Sequence, residues 1–350
     1  EPRSNMEFVV AEISKLFQIL TIFTILVLIY KLYIIVDTDF YYYTYSGAPP
    51  LWKMMFKAFY RSLCKSLQSE RFENFANEDE VQSQVQRLYP VVARNCRIDE
   101  NNLMQYMRIC GTLQESKQRI PACYLETLFL GPIFELVSSK NFLFSPLGLI
   151  HMKQTITVHR SLDVLLTQPF DLQVALTQYT HTDRGIETTL KLKVLDKSEV
   201  CVWEGDVVFL TRNKHSSQSG GHRIRNQTAE EEGSCVEVHV PSKTGVDYAH
   251  VSSDWNPHHL WTWTARPLGY KQPIAHGMWT LARTMAVLGS SDITVKPPYY
   301  ISADFKRPLF MPNDIKITFG QDAHQQSEHW FVVRDNVTNV PHLKGTLRQL

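Results

Sequence analysis

The chain is 350 residues long, which is enough for one large domain or two ordinary ones. Hydrophobic residues make up 44% and charged residues 20%, so the sequence can form a full core and is not that of a disordered or collagen-like chain. Its 36 basic and 35 acidic residues nearly cancel, which excludes a general basic field for holding nucleic acid. We therefore expect no nucleic-acid partner.

A strongly apolar segment runs from residue 16 to residue 36. A membrane-spanning helix needs about 20 such residues. Lys31 lies near the end of the segment, where its stem can reach the headgroups, and the aromatic residues that follow are typical of an interfacial belt. We predict that residues 1–40 hold an uncleaved single-pass anchor. A buried core helix and a cleaved signal peptide remain alternatives.

The basic residues flanking this segment predict its orientation. Arg3 and Lys15 precede it, and a larger group follows it, so the positive-inside rule favours a cytosolic main domain at a membrane of unidentified organelle. Glycosylation of the sequon at Asn226 or Asn336 would contradict that orientation. The group that follows the segment consists of Lys53, Lys57, Arg61 and Lys65.

The remainder of the chain divides by composition. Residues 41–87 are aromatic and then polar with helical spacing, which indicates a spacer. From about residue 120, short apolar runs alternate with polar residues and predict β-strands. A Ser-, Gly- and charge-rich stretch at 213–233 predicts a flexible linker. We therefore expect two halves, 88–212 and 234–350.

The two halves resemble each other weakly. Residues 150–158 form one predicted strand, and a turn leads from them into a Pro-Phe-Asp-Leu-Gln-Val run. Residues 300–305 are followed in the same way by Met311-Pro-Asn-Asp-Ile-Lys-Ile. The likeness in letters is slight, but a true repeat would determine the whole architecture.

A carboxylate and an imidazole lie close together in the second half, in Asp254-Trp-Asn-Pro-His-His259. Asn256 before Pro257 is a favourable helix start, with Asn at the cap and Pro at the first helical position. Asp254 then lies on the turn before the helix and His259 in its first turn. An Asp and a His so placed can share a water molecule and transfer protons at neutral pH.

A second block, Gln272-Pro-Ile-Ala-His-Gly277, precedes an apolar helical run from Met278 to Leu288. Gly277 is expected at the N-terminus of that helix, where backbone N–H groups have no partner and the dipole is positive. Without a side chain, it allows a carbonyl oxygen to approach closely. This arrangement is typical of an oxyanion hole.

Together the two blocks resemble the motif of the MaoC-like, R-specific enoyl-CoA hydratase (hydratase 2) family. Its usual form is S-G-D-x-N-P-[LIV]-H followed by G-F-x-x-P-I-x-H-G. This chain has Ser252-Ser-Asp-Trp-Asn-Pro-His-His259 and Gly269-Tyr-Lys-Gln-Pro-Ile-Ala-His-Gly277. The motif covers about thirty residues, and a looser resemblance extends over residues 88–350.

The resemblance implies an α+β fold, a double hot dog in which each half wraps an antiparallel sheet round a central helix. It implies reversible syn addition of water to a 2-enoyl-CoA, giving a (3R)-3-hydroxyacyl-CoA in lipid metabolism. Asp254 and His259 would be the catalytic pair, the Gly277 N–H would hold the thioester oxygen, and Asn256 would position the substrate or the pair. No cofactor is expected, and the protein would be a monomeric double hot dog or a homodimer.

Two positions depart from the family pattern: Ser253 replaces the common Gly, and His258 replaces an aliphatic residue. The first half has no D-x-N-P-x-H block, so we expect one active site per chain. There are two alternatives to a hydratase. One is a non-catalytic protein that binds acyl-CoA or lipid, and the other is a thioesterase.

Local basic residues near the motif are candidates for binding the phosphates of CoA, namely Arg266, Lys271 and Arg283. The histidines at 258, 259 and 276 do not have zinc-like spacing, so we expect no metal site. A set of four tryptophans is expected to form core and pocket wall rather than a platform for stacking bases: Trp255, Trp261, Trp263 and Trp279.

Overall fold

The computed structural model describes residues 42–44, 51–66, 85, 87–112, 119–212, 233–322, 325 and 327–350, together with seven residues between Leu20 and Lys31. Within this part the chain forms one 11-stranded sheet in the order β1-β2-β4-β5-β6-β3-β8-β11-β10-β9-β7. The strands are β1 Tyr42–Thr44, β2 Val91–Cys96, β3 Ile150–Val158, β4 Phe170–Thr182, β5 Gly185–Leu195, β6 Cys201–Arg212, β7 Ser234–Val240, β8 Tyr299–Phe305, β9 Asn313–Gln321, β10 Glu328–Asp335 and β11 Pro341–Gln349.

The helices lie between and before these strands. They are α1 Leu51–Ser66, α2 Glu100–Cys110, α3 Tyr124–Thr127, α4 Leu130–Val137, α5 Thr244–Ser252, α6 Thr262–Ala265 and α7 Gly277–Ser290. Short 3-10 turns cover Leu162–Leu166, Pro257–His259 and Arg266–Leu268.

The order of the strands repeats on the two sides of the β3–β8 pair. From edge to centre it runs β2-β4-β5-β6-β3 in the first half and β7-β9-β10-β11-β8 in the second. All neighbouring strands pair antiparallel except β1, which adds to β2 in parallel. The predicted hot-dog fold is confirmed, and the sheet carries that pattern twice.

Period-two alternation explains why these segments form a sheet with one packed face. In β4, Phe170, Leu172 and Val174 are buried while the residues between them are partly exposed. The central helices cover the packed face: α4 contacts β2 and β4, and α7 contacts β9 and β11. Each half therefore has its own sheet–helix core.

Helix α2 joins the first half to the helices of the second. The Asn102 amide donates to the Val251 carbonyl at 3.2 Å and accepts from the Tyr124 hydroxyl at 3.0 Å. The Trp279 indole of α7 donates to the Ile109 carbonyl at 3.2 Å. These contacts hold the first half against α5 and α7. Helix α5 precedes the two motif blocks, and α7 begins at the end of the second block.

Helix α1, within the predicted spacer, packs against α4 of the first half. Lys57 and Glu135 form an ion pair at 2.9 Å with both side chains only 2% exposed. Removing one partner of such a pair costs about 3–5 kcal/mol because the other charge is left buried. Helix α1 is therefore part of the folded body.

The predicted transmembrane anchor and single-pass membrane location, with a cytosolic main domain, are wrong. Among the described residues, no helix is both long and apolar enough to cross a bilayer. The longest of these helices, α1, has 16 residues and carries four basic side chains, whereas a span needs about 20 apolar residues. Of residues 16–36, those outside the seven helical positions are not described, and the predicted linker at 213–233 is described only at Gly233.

Candidate active site

The turn after α5 places Asp254. Helix α5 ends at Ser252, and Ser253 adopts a left-handed conformation with φ 61°. Glycine adopts this conformation without strain, which explains why the family pattern has Gly at this position. Serine adopts it here at a small cost in conformational free energy. The Ser252 hydroxyl donates to the Tyr248 carbonyl at 2.8 Å and accepts from the Asp254 N–H at 3.2 Å, which fixes the turn.

Asn256 holds the Asp254 carboxylate. Its side-chain amide donates to Asp254 Oδ1 at 2.6 Å, and its backbone N–H reaches the same oxygen at 3.2 Å. Asn256 is the cap position of the Pro257–His259 turn, as expected, but its side chain makes no capping hydrogen bond. It orients the carboxylate instead.

His259 is buried, and its Nδ1 lies 2.7 Å from the Ile274 carbonyl oxygen. Because a carbonyl only accepts, Nδ1 carries the proton and Nε2 presents a lone pair. Burial, followed by the neighbouring His276 and His258, holds the pKa of His259 well below its usual value. The imidazole is therefore neutral at pH 7 and able to accept a proton.

His276 contacts both members of this pair. From the sequence, it is assigned no catalytic or binding role and is considered only as a metal ligand. Its ring stacks on His259 with centroids 3.7 Å apart. Its Nε2 donates to the Asp254 backbone oxygen at 3.0 Å and lies 3.8 Å from the carboxylate oxygen Oδ2. Burial lowers the pKa of His276 to about 3, so this ring is neutral too.

Gly277 is the first residue of α7, with His276 at the cap position. The first N–H groups of a helix have no intrahelical partner and carry the positive end of the dipole. A Cβ added at Gly277 would lie 2.8 Å from the Phe305 ring of β8. The missing side chain thus lets Phe305 pack against the start of the helix, beside the N–H groups.

The Asp254 charge acts on two residues of the first half that the motif does not contain, Glu126 and His151. Burial, together with the Asp254 charge, raises the pKa of Glu126 in α3 to about 8. Burial lowers the pKa of His151 in β3 to about 4. His151 lies between two rings, with centroids 5.5 Å from Phe209 and 4.7 Å from Phe305. Only the paired halves bring these groups near residue 254, so no local spacing could reveal them.

The three predicted phosphate-binding cations are not together. Arg266 and Lys271 are exposed on the segment between His259 and Gly277, and Lys271 Nζ lies 4.9 Å above the Phe310 ring. Arg283 instead donates to the Gly111 carbonyl at 3.4 Å, at the end of α2. Its position favours a role in joining the halves over one in binding phosphate.

Among the residues that the structure describes, two groups of side chains have metal-ligand composition. One consists of Asp254, His259 and His276, whose ligand atoms lie within 4.8 Å of one another. The two imidazoles are stacked with an interplanar angle of only 27°, so their in-plane lone pairs diverge from a common point. The other group, within the same distance limit, is His159, Cys201 and Glu204 on the first half.

Known proteins resemble the chain in sequence and in fold. The 3-hydroxyacyl-thioester dehydratase X of Mycobacterium tuberculosis is 27% identical over 263 residues, covering 74% of this chain and 89% of that protein. The crystal structure of HtdX of M. tuberculosis superposes with a TM-score of 0.62 at 23% identity, covering 75% of this chain and all of that chain. A MaoC-like dehydratase from Phytophthora capsici gives a TM-score of 0.63 at 16% identity, over 79% of this chain and 98% of that chain.

The family comparison falls on the half that contains Asp254, His259 and Gly277. Residues 225–340 match the family described as MaoC like domain. This match covers both motif blocks and strands β7 to β10. The chain therefore contains a MaoC-like domain at residues 225–340, and over most of its length it is similar to the dehydratases named above.

Proposed function

We propose that the protein is an acyl-thioester hydratase and dehydratase, acting on 2-enoyl-CoA and (3R)-3-hydroxyacyl-CoA in fatty acid metabolism. The observation that carries the proposal is the convergence of three groups. The Asp254 carboxylate and a ligand nitrogen of His259 lie within 4.8 Å of each other, close enough for one water to bridge them. The helix start at Gly277 follows directly after His276, which contacts both.

In the hydration direction, Asp254 and neutral His259 hold a water molecule. His259 Nε2 takes one proton from the water as its oxygen bonds to C3 of the enoyl thioester. The electron pair of the C2–C3 double bond moves towards the thioester carbonyl, whose oxygen becomes negative and is stabilised by the Gly277 N–H. His259 then returns that proton to C2, which completes the 3-hydroxyacyl thioester and leaves the imidazole neutral again, and dehydration runs through the same steps in reverse.

The relatives support the coarser part of this proposal. One bears the name 3-hydroxyacyl-thioester dehydratase X, and the Phytophthora protein is called a MaoC-like dehydratase. The motif resemblance supports the finer part, which is the R configuration, the syn course and CoA as carrier.

Incubation of the purified protein with crotonyl-CoA tests the proposal. We expect loss of the enoyl absorbance without release of free thiol, together with formation of 3-hydroxybutyryl-CoA of R configuration. Thiol release would indicate a thioesterase. Binding of the thioester without loss of enoyl absorbance and without thiol release would indicate a non-catalytic acyl-CoA-binding protein. Either of these two results would contradict the proposal.

A further inference from the structure

The chain between the two motif blocks leaves the site and returns to it. The Ile274 N–H donates to the His258 carbonyl at 3.0 Å, which closes the segment at its base beside the catalytic histidine. We call residues 261–272 the lip. All of its residues are exposed except Thr264, Ala265 and Tyr270. The lip is therefore a surface segment held at the edge of the buried pair.

Two tryptophans on the lip overturn the expectation that the tryptophan set forms core and wall. Trp279 is buried, at 4% exposure, but Trp261 is 44% and Trp263 72% exposed. Their rings stack in parallel, with centroids 5.7 Å apart and an interplanar angle of 6°. The outer indole face of the pair is open to solvent. Large flat apolar surface left open in this way is unfavourable unless something binds there.

The charge of the lip is of one sign. It contains Arg266 and Lys271, both exposed, and no acidic residue. Trp263 and Arg266 are three residues apart on consecutive helical turns, α6 and Arg266–Leu268, so their side chains lie on the same face. An aromatic plane beside a guanidinium matches a ligand that carries both a planar base and phosphate.

We propose that Trp261 and Trp263, with Arg266, bind the nucleotide of coenzyme A, the indoles stacking on its purine base and Arg266 pairing with its phosphates. This inference rests on the proposed function for the identity of the thioester. The reacting carbons lie beside buried His259, so the large polar carrier extends to the surface along the lip. A carrier protein presents phosphopantetheine without a base and gives the indole pair nothing to stack on. The lip thus selects CoA as the carrier.

A comparison of two thioesters tests this assignment. Trp263→Ala should raise the KM for crotonyl-CoA about fivefold to a hundredfold, the range for loss of one stacked base, with little change in kcat. The KM for the crotonyl thioester of N-acetylcysteamine, which has no base, should not follow. Trp263→Phe should restore most of the affinity for CoA. Leu268→Ala, which removes an exposed apolar side chain of the same lip (51% exposed), is the matched control and should leave both KM values unchanged.

Calorimetric titration separates failure of this inference from failure of the proposed function. Wild-type protein should bind free CoA and adenosine 3′,5′-bisphosphate, and Trp263→Ala should weaken both. Such binding without any turnover of crotonyl-CoA would refute the hydratase proposal and leave the nucleotide site standing. Equal affinities of the wild type and the variant would overturn the nucleotide site, as would a KM effect that appears only with crotonyl-carrier protein.

Discussion

The two halves share one strand order, but the carbonyl one residue after a proline near each central helix accepts from a different side chain. Counting from Pro121 and Pro273, the next carbonyls belong to Ala122 and Ile274. The Ala122 oxygen accepts from the buried Trp203 indole at 3.0 Å, whereas the Ile274 oxygen pairs with His259 at 2.7 Å. The indole in the first half is only a hydrogen-bond donor, whereas the imidazole in the second half also has a nitrogen that can accept a proton.

The helix starts differ in the same direction. Counted from the same two prolines, Tyr124 and fully buried Leu125 correspond to His276 and Gly277, and the helical region of the first half is divided into α3 and α4. In the second half, one continuous helix of 14 residues begins at Gly277. The first half therefore has a buried leucine side chain where the second half has a glycine without one. The hot-dog pattern therefore forms in the first half without the motif residues of the second half.

The largest effect is expected from His259→Gln and Asp254→Asn. Each should lower kcat/KM for crotonyl-CoA hydration by about 10²–10⁴-fold, the usual contribution of a general acid or base, while the circular dichroism spectrum stays that of the wild type. Full activity in both variants would show that the roles are assigned to the wrong residues.

Gly277→Ala is expected to have the next largest effect. The added methyl meets the Phe305 ring and moves the helix start, so kcat should fall by on the order of 10²-fold, as for loss of an oxyanion donor. The counterpart Leu125→Ala should instead lower the free energy of unfolding by about 2–5 kcal/mol and leave kcat near the wild-type value. Urea unfolding and steady-state kinetics on both variants measure the contrast, and similar kinetic defects would contradict it.

Trp203→Phe tests the first-half carbonyl. An aromatic ring remains, but the hydrogen bond to Ala122 is lost, which should lower the free energy of unfolding by about 1–3 kcal/mol, and the space left by the smaller ring adds to this loss. The hydration rate should not change, in contrast to His259→Gln. A rate loss comparable to that of His259→Gln would mean that the first half takes part in the chemistry.

Glu126 should make stability depend on pH. Its pKa is raised in the folded state from an ordinary value of 4.5 to about 8, so the stability that the neutral form provides is lost as pH rises through this window. Glu126→Gln should match the wild type below pH 4.5 and exceed its free energy of unfolding above pH 8, by on the order of 1–3 kcal/mol. Glu237→Gln on the exposed β7 position is the control. Identical pH profiles for wild type and Glu126→Gln would refute the assignment.

The smallest effect is expected at the turn before Asp254. Ser253→Gly should stabilise the protein by up to about 1 kcal/mol, because glycine relieves the left-handed conformation. The opposite change, Gly269→Ala, at φ 87° and with no neighbour within 4 Å of the new methyl, should cost about as much. Thermal unfolding of the two variants measures both shifts, and shifts of the same sign would contradict the backbone explanation.

Local patterns predict the strands and the start of α7. Apolar and polar residues alternate within each strand, and the Gln272–Gly277 block directly precedes the helix, so both signals lie within a few residues. The two motif blocks together predict Asp254, His259 and Gly277 as site residues. The roles of Glu126 and His151 depend on contacts across the halves, which no local spacing encodes. The apolar run at residues 16–36 lies mostly outside the part of the chain that the structure describes, and none of the described helices could span a membrane.

The bond between His259 and the Ile274 carbonyl has a stereochemical consequence. A main-chain oxygen cannot take up a proton, so nothing can leave the imidazole through Nδ1. In the proposed reaction, the proton that Nε2 removes from water has no exit at the rear of the ring and is returned from the side on which it arrived. Hydroxyl and hydrogen then reach the same face of the double bond, so one backbone oxygen, itself unreactive, favours the syn course of the addition.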